Sequence, residues 1–136
     1  MLTRVVQLAT KLTEGAVRFI EGKNFAFLAT LLQDGSPHVT PMWVDREGDM
    51  ILMNTAIGRV KQKNLARDPR VSIAIVDSNN PYDRIIIHGR VISQTEQGAD
   101  AHIDKLAKKY TGANKYQKTS PHEKRIILKI EPLQIL

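Results

Sequence analysis

Cysteine is absent from the 136 residues. That removes disulfides, thiolate metal sites and cysteine nucleophiles from consideration. Aromatic residues are scarce: Phe19, Phe25, Phe27, Trp43, Tyr82, Tyr110 and Tyr116 are the whole set. They show no strand-spaced pairing of the kind that stacks nucleic-acid bases. No apolar run approaches the roughly 20 residues of a membrane helix. The start, Met1-Leu2-Thr3-Arg4, lacks the continuous apolar segment of a signal peptide. A cytoplasmic protein with no membrane partner is the expectation.

Chemistry-bearing motifs are equally sparse. No Gly-x-Gly-x-x-Gly follows a strand pattern and no Gly-Lys-Ser/Thr occurs, which argues against Rossmann and Walker nucleotide sites. None of Ser36, Ser72, Ser78, Ser93 and Ser120 sits in Gly-x-Ser-x-Gly. His38, His88, His102 and His122 lack the i, i+4 spacing of metal ligands. His102 falls on an apolar helix face and reads as a packed histidine. The carboxylates are dispersed, and no acid–base pair can be nominated.

What remains is an ordinary globular composition, 42% apolar and 25% charged, in a chain long enough for one domain with a proper core. The net charge of +6 points to an anionic partner, either nucleic acid or a phosphorylated small molecule. The cations are scattered apart from Arg59–Lys63 and the stretch 105–124, so nucleic acid is the secondary expectation.

Apolar positions Val5, Leu8, Ala9, Leu12, Ala16, Phe19 and Ile20 recur near the 3.6 period and predict a helix over about 3–21, stopped by Gly22. A barrel follows over about 25–136. Residues 25–32 form an apolar run of strand length, and Asp34-Gly35 marks a hairpin. A second strand covers 38–45 and a third 50–55, the three forming an antiparallel meander through short links. Residues 60–67 predict a short helix ended by Asp68-Pro69. Residues 71–76 are a nearly continuous apolar strand, hence central. Asp77 to Asp83 is loop chemistry. A fifth strand covers 84–93, and Thr95 caps a helix running to Tyr110. After a polar stretch, 124–135 is a last strand, with Pro132 at an edge or bend. The expectation is a mainly β single domain, 1–136: a six-stranded antiparallel barrel with flanking helices.

The most informative stretch is Gly58-Arg59-Val60-Lys61-Gln62-Lys63-Asn64. Three cations sit where a strand gives way to a helix, whose free N–H groups and positive dipole end suit phosphate. Arg supplies a planar fork and Lys a compact charge. A solvated basic turn is the alternative. On a straight helix Arg59 and Lys63 share a face and Lys61 does not. For Arg59 and Lys61 to meet one phosphate, the chain at Arg59 must still be extended or turning.

Several segments in order carry a resemblance to a known family. Phe27-Leu28-Ala29-Thr30 is followed by Asp34-Gly35-Ser36-Pro37-His38-Val39-Thr40-Pro41-Met42-Trp43, then by Asn54-Thr55, Gly58-Arg59-Val60-Lys61 and Asn64-Leu65. Arg67-Asp68-Pro69-Arg70-Val71-Ser72, Asn79-Asn80-Pro81-Tyr82 and Gly89-Arg90-Val91 continue the series. This pattern resembles the pyridoxamine 5′-phosphate oxidase-like, FMN-binding split-barrel superfamily. Leu106 to Gly112 is similar to the tail of its deazaflavin (F420)-dependent branch. The resemblance implies a homodimer of six-stranded split barrels with cofactor sites in the subunit interface. It implies that Arg59 and Lys61 hold cofactor phosphate with Asn64 nearby, and that Pro41, Met42 and Trp43 flank the ring system. Met53, Asn54 and Thr55 would line the same site, and Asn80, Pro81 and Tyr82 would reach in from the second subunit. No equivalent of the oxidases' C-terminal Arg-x-His segment is found, which argues against pyridoxal phosphate synthesis. The reading is an oxidoreductase that uses coenzyme F420, or alternatively FMN, to move a hydride to or from a small-molecule substrate. A non-catalytic flavin-binding or nucleic-acid-binding barrel is the reading from a different class.

Overall fold

The computed structural model describes residues 7–136. In chain order its elements are α1 (Glu14–Glu21), β1 (Ala26–Leu31), β2 (Pro37–Met42), β3 (Asp45–Glu47), β4 (Met50–Ala56), α2 (Val60–Arg67), β5 (Arg70–Val76), β6 (Arg84–Thr95), α3 (Ala99–Thr111) and β7 (Arg125–Ile135). The hairpin at Asp34-Gly35 forms as its chemistry requires. Gly35 takes a positive φ of 86°, and Asp34 Oδ1 accepts from the Ser36 N–H at 2.9 Å.

The strand expected over 38–45 divides in two, and this decides the architecture. Its first part, β2, pairs with β1; its second part, β3, pairs with β4. The expected meander is therefore not formed, because β2 and β4 are not neighbours. The sheet has seven strands in place of six, in the order β2-β1-β5-β6-β7-β4-β3, with every pairing antiparallel. Its two edges, β2 and β3, are joined by Trp43 and Val44 alone. Three peptide steps from Met42 to Asp45 reach about 11 Å at most. The sheet must curl until its edges approach, and they do so without hydrogen-bonding to each other. The result is a mainly β, unclosed split barrel with three helices among the described residues.

Strand alternation builds the interior. Leu28, Ile51, Met53, Ile73, Ile75, Ile87, Leu128 and Ile130 are fully buried and form one core with Leu12 and Ile20. β5 lies between β1 and β6, as its apolar run predicts. In β7, Pro132 falls beyond the last β4 partner, opposite Gly89 at a register shift. A side chain at Gly89 would put its Cβ 2.7 Å from the Glu131 carbonyl oxygen, so only glycine allows this approach.

α1 is shorter than its periodicity suggests. Thr13 stops the helix from extending backwards, because its Oγ1 accepts from the Ala16 N–H at 3.1 Å and caps the first turn. Residues 7–13 run without helix; Thr10 N–H donates to the Pro132 carbonyl and Leu12 N–H to Asp49 Oδ1. The rest of the expected helix, 3–6, lies outside the described residues. α3 starts after Gly98 instead of Thr95, whose hydroxyl accepts from the Gln97 N–H while Thr95 itself closes β6.

α3 fixes the seam of the barrel. The Tyr110 hydroxyl donates to the Asn24 carbonyl at 2.6 Å and accepts from the Val44 N–H at 3.2 Å. Its ring stacks on Trp43 with centroids 5.4 Å apart. Lys109 Nζ donates to the carbonyls of Ile20 and Val44, joining the end of α1 to the same link. Tyr110→Phe keeps the ring and removes both hydrogen bonds from buried backbone groups. It should lower unfolding free energy by about 1–3 kcal/mol, read from urea denaturation with the m-value unchanged. A loss below a few tenths would mean that water replaces the hydroxyl.

Candidate functional site

β4 delivers alternate residues to two different places. Ile51, Met53 and Thr55 share the phase that points into the barrel, and Met53 and Thr55 are both wholly buried. Asn54, on the other phase, faces α3 and the start of β7. Its Nδ2 donates to the Ala99 carbonyl at 2.9 Å and lies 3.1 Å from His102 Nδ1, and its Oδ1 accepts from Arg125 Nε at 2.8 Å. His102 Nε2 lies 3.1 Å from Asp45 Oδ2, which also accepts from Lys105 Nζ at 3.2 Å. With the carboxylate as acceptor, Nε2 carries the proton and Nδ1 accepts from Asn54. A continuous chain of polar contacts thus runs Asp45, His102, Asn54, Arg125.

Arg125 ends this chain inside a cleft. It is 5% exposed, and its guanidinium lies over the Tyr116 ring at 4.8 Å. Nearby, Arg59 occupies the cap position of α2 with extended backbone (φ −70°, ψ 154°), and Lys61 follows in the first turn. The geometric demand made of this junction is met: Arg59 has not yet entered the helix. Arg59 Nη2 donates to Glu123 Oε1 at 3.1 Å, and Arg125 Nη1 is 3.5 Å from Glu123 Oε2 without a hydrogen bond. Burial lowers the Lys61 pKa, and the charges of Arg59 and Arg125 lower it further. Burial raises the Glu123 carboxyl, but the Thr119 hydroxyl and the two guanidinium groups outweigh it and hold the group below its ordinary value. Three cations therefore lie close together, two of them paired with the ionised Glu123, and α2 has no acidic residue in its first turn.

The cleft measures ≈190 Å³. Its lining combines Asn54, Arg59, Arg125 and Tyr116 with Phe25, Pro41, Met42 and Trp43 and with Ile103 and Leu106 of α3. Among the expected site residues, Pro41, Met42, Trp43, Asn54 and Arg59 come together here, with Lys61 beside them. Met53 and Thr55 belong to the barrel interior, turned away from Asn54 by strand alternation. Asn64 is 3% exposed, and its Nδ2 donates to Thr30 Oγ1 at 3.0 Å, so it ties α2 to β1. Asn80, Pro81 and Tyr82 sit on the β5–β6 loop and line neither cavity of their own chain; Tyr82 is 86% exposed. Asp77 Oδ1 accepts from the N–H groups of Asn79 and Asn80 and shapes that loop. A larger hollow of ≈490 Å³ lies on the outer sheet face around Ser72 and His88, and none of the expected residues lines it.

Arg125, Glu123, Tyr116 and His102 were not among the expected site residues. The legible signal for Arg125 is its position: it is a cation opening the apolar strand run Ile126-Ile127-Leu128. A cation there needs buried partners.

The family model of the pyridoxamine 5′-phosphate oxidases matches residues 12–136. The chain belongs to this family. No curated protein matches the sequence. Among solved structures, an F420 reductase is 25% identical with a TM-score of 0.79, covering 92% of this chain and 98% of that one. A conserved hypothetical protein from Mycobacterium tuberculosis is 24% identical (TM-score 0.68, 99% and 88% covered). General Stress Protein 26 from Bacillus anthracis is 21% identical (TM-score 0.65, 90% and 89% covered). The last two show the fold alone. Among the described residues no helix is long and apolar enough to cross a membrane.

Asp45 anchors the polar chain and gives it a pH signature. Burial raises its carboxyl, but His102, the Arg46 N–H and Lys105 together hold it well below the ordinary 3.8. A depressed native pKa contributes stability that is complete above the unfolded value and lost as pH falls towards the native one. Wild type should therefore exceed Asp45→Asn in unfolding free energy by a constant margin from pH 7 to 5. The margin should shrink below about pH 4. Urea unfolding at stepped pH checks this; a margin that persists at acid pH would show that the charge of Asp45 is not what stabilises.

Proposed function

We propose that this chain is an oxidoreductase that binds coenzyme F420, with FMN as the alternative, in the cleft between Trp43 and Arg59. The site completes itself at a homodimer interface and serves hydride transfer to or from a small-molecule substrate. The observation that carries the reading is the excess of charge: Arg59 and Arg125 line a cleft whose other lining is largely apolar and aromatic, Lys61 lies near enough to both for their charges to lower its pKa, and Glu123 is the one carboxylate paired with the two arginines. That combination suits a planar ring carrying a phosphate. Arg59 and Lys61 would take the phosphate, aided by the uncapped N–H groups at the start of α2. Pro41, Met42 and Trp43 would flank the ring and exclude water from it. When bound, the cofactor supplies the hydride chemistry; the protein supplies position and field. The F420 reductase at 25% identity favours the deazaflavin over FMN.

A cleft of ≈190 Å³ is smaller than the roughly 300–1,000 Å³ of typical small-molecule sites, which supports completion by a second copy. So does the outer sheet face. Register places Pro41, Phe27, Ala74, Ile86 and Leu136 in one row across β2, β1, β5, β6 and the chain end. Phe25, Phe27, Val39 and Leu136 are 51%, 38%, 61% and 61% exposed, an apolar patch of the kind that marks an interface. Asn80, Pro81 and Tyr82 project from the same β5–β6 region and would reach the partner's cleft.

Cofactor titration tests the site. Arg59→Ala and Lys61→Ala should each weaken F420 by about tenfold to somewhat over a hundredfold, the equivalent of a charge-assisted hydrogen bond. Lys63→Ala, on an exposed position, should cost much less and only at low salt. Wild-type affinity in both of the first two variants removes the phosphate assignment; tighter FMN than F420 binding reverses the choice of cofactor.

Sedimentation tests the assembly. The 15.3 kDa chain should run as a dimer at micromolar concentration, and Phe27→Glu should convert it to a folded monomer that binds cofactor poorly. Tyr82→Ala should weaken cofactor binding while the dimer persists. A wild-type monomer with tight binding would end the interfacial reading.

A further inference from the structure

We propose that Arg125 is the second guanidinium of an oxyanion clamp whose first is Arg59, and that Glu123 is the clamp's internal occupant, displaced when a ligand phosphate enters. The proposal rests on the reading of the cleft as the site of a phosphate-bearing cofactor and extends it to two residues outside the Arg59–Lys61 junction.

The geometry of Arg125 is that of a positioned group. Nε is held by Asn54 Oδ1, one face is covered by Tyr116, and Asn54 is itself fixed by Ala99 and by His102 on Asp45. Only the terminal nitrogens are left to bind anything, and Nη1 is buried without a hydrogen-bond partner. A side chain anchored at two points cannot shift to meet Glu123. The carboxylate has not closed the distance either: Oε1 is engaged by Arg59 Nη2 at 3.1 Å and Thr119 Oγ1 at 2.8 Å, while Oε2 forms an ion pair with Arg125 Nη1 at 3.5 Å and is likewise buried without a hydrogen bond. A buried guanidinium and a buried carboxylate oxygen that are ion-paired at 3.5 Å but share no hydrogen bond leave donor and acceptor capacity unused on both sides.

A phosphate completes what the carboxylate does not. A phosphate monoester such as that of FMN has three free oxygens, enough for Arg59, Arg125 and Lys61 together, and the phosphodiester of F420 has two, one for each guanidinium; the tethered carboxylate hydrogen-bonds Arg59 and holds Arg125 only as a looser ion pair at 3.5 Å. Glu123 lies in the irregular segment 112–124, where its N–H donates to the Ser120 carbonyl. Sheet pairing begins only at Arg125, opposite Ala56. The carboxylate can therefore leave without breaking a ladder bond. Its departure is required, since it would repel a bound phosphate anion.

Paired ligands that differ by one phosphate test this. Binding of FMN and of riboflavin, and of the deazaflavin nucleoside with and without a 5′-phosphate, is titrated for wild type, Glu123→Gln, Arg125→Met and Arg125→Lys. Removing the internal competitor should tighten the phosphate-bearing ligands by about three- to tenfold and leave the phosphate-free ones unchanged. Arg125→Met should weaken the phosphate-bearing ligands by about tenfold or more and the others by less than about twofold; Arg125→Lys, which keeps the charge and loses the fork, should fall between. Equal losses for both members of a pair, or no gain in Glu123→Gln, would overturn the clamp. If Arg125→Met does not fold, Glu123→Gln decides by itself. If wild type binds neither flavin nor deazaflavin, the cofactor reading falls and inorganic pyrophosphate decides the clamp. A rise in melting temperature larger in Glu123→Gln than in wild type supports it, and no rise in either overturns it.

Discussion

Trp43 and Val44 are the whole connection between the two edges of the sheet, and the rest of the structure follows from how short that connection is. A seven-stranded sheet whose ends are tied by two residues can only be curled. Curling brings β4 and β7 under α3, and the gap between the tied edges becomes the place where a cleft can open. The link is then held from outside. Val44 offers its N–H to Tyr110 and its carbonyl to Lys109, and Trp43 stacks on the Tyr110 ring. The tryptophan that walls the cleft and the backbone that links the sheet edges are thus fixed by the last turn of one helix.

The parts of the fold that were legible are those set by local chemistry. Asp34-Gly35 makes its hairpin, the apolar run 71–76 makes a central strand, and Asp68-Pro69 ends a helix. Two errors came from competition that periodicity cannot see. Leu8 and Leu12 fall on a helical period, yet Thr13 caps α1 behind them, leaving Leu8 exposed and Leu12 in the core. The strand 38–45 reads as one unit because its pattern continues through Trp43; only the sheet order reveals that its two parts serve opposite edges.

The site divides in the same way. Arg59 and Lys61 could be singled out from the sequence because they lie within one short strand-to-helix junction, Gly58 to Asn64. Arg125 was not, because its meaning depends on Asn54, 71 positions away, and on a relay through His102 to Asp45. Buried polar networks of this kind are assembled by strand register, and register is decided by the fold as a whole. Met53 and Thr55 illustrate the converse: resemblance places them in a segment near the cofactor, and alternation along β4 sends their side chains into the barrel.

A barrel left open carries two unpaired strand edges, which are templates for uncontrolled pairing between molecules. Here each edge is blunted in its own way. β2 begins with Pro37 and contains Pro41, and neither has an N–H to donate. β3 is three residues long, Asp45-Arg46-Glu47, all charged. An incoming strand finds proline on one side and a short charged segment on the other. The open barrel therefore does not present edges suited to edge-to-edge aggregation, and an exposed apolar row remains on its outer face.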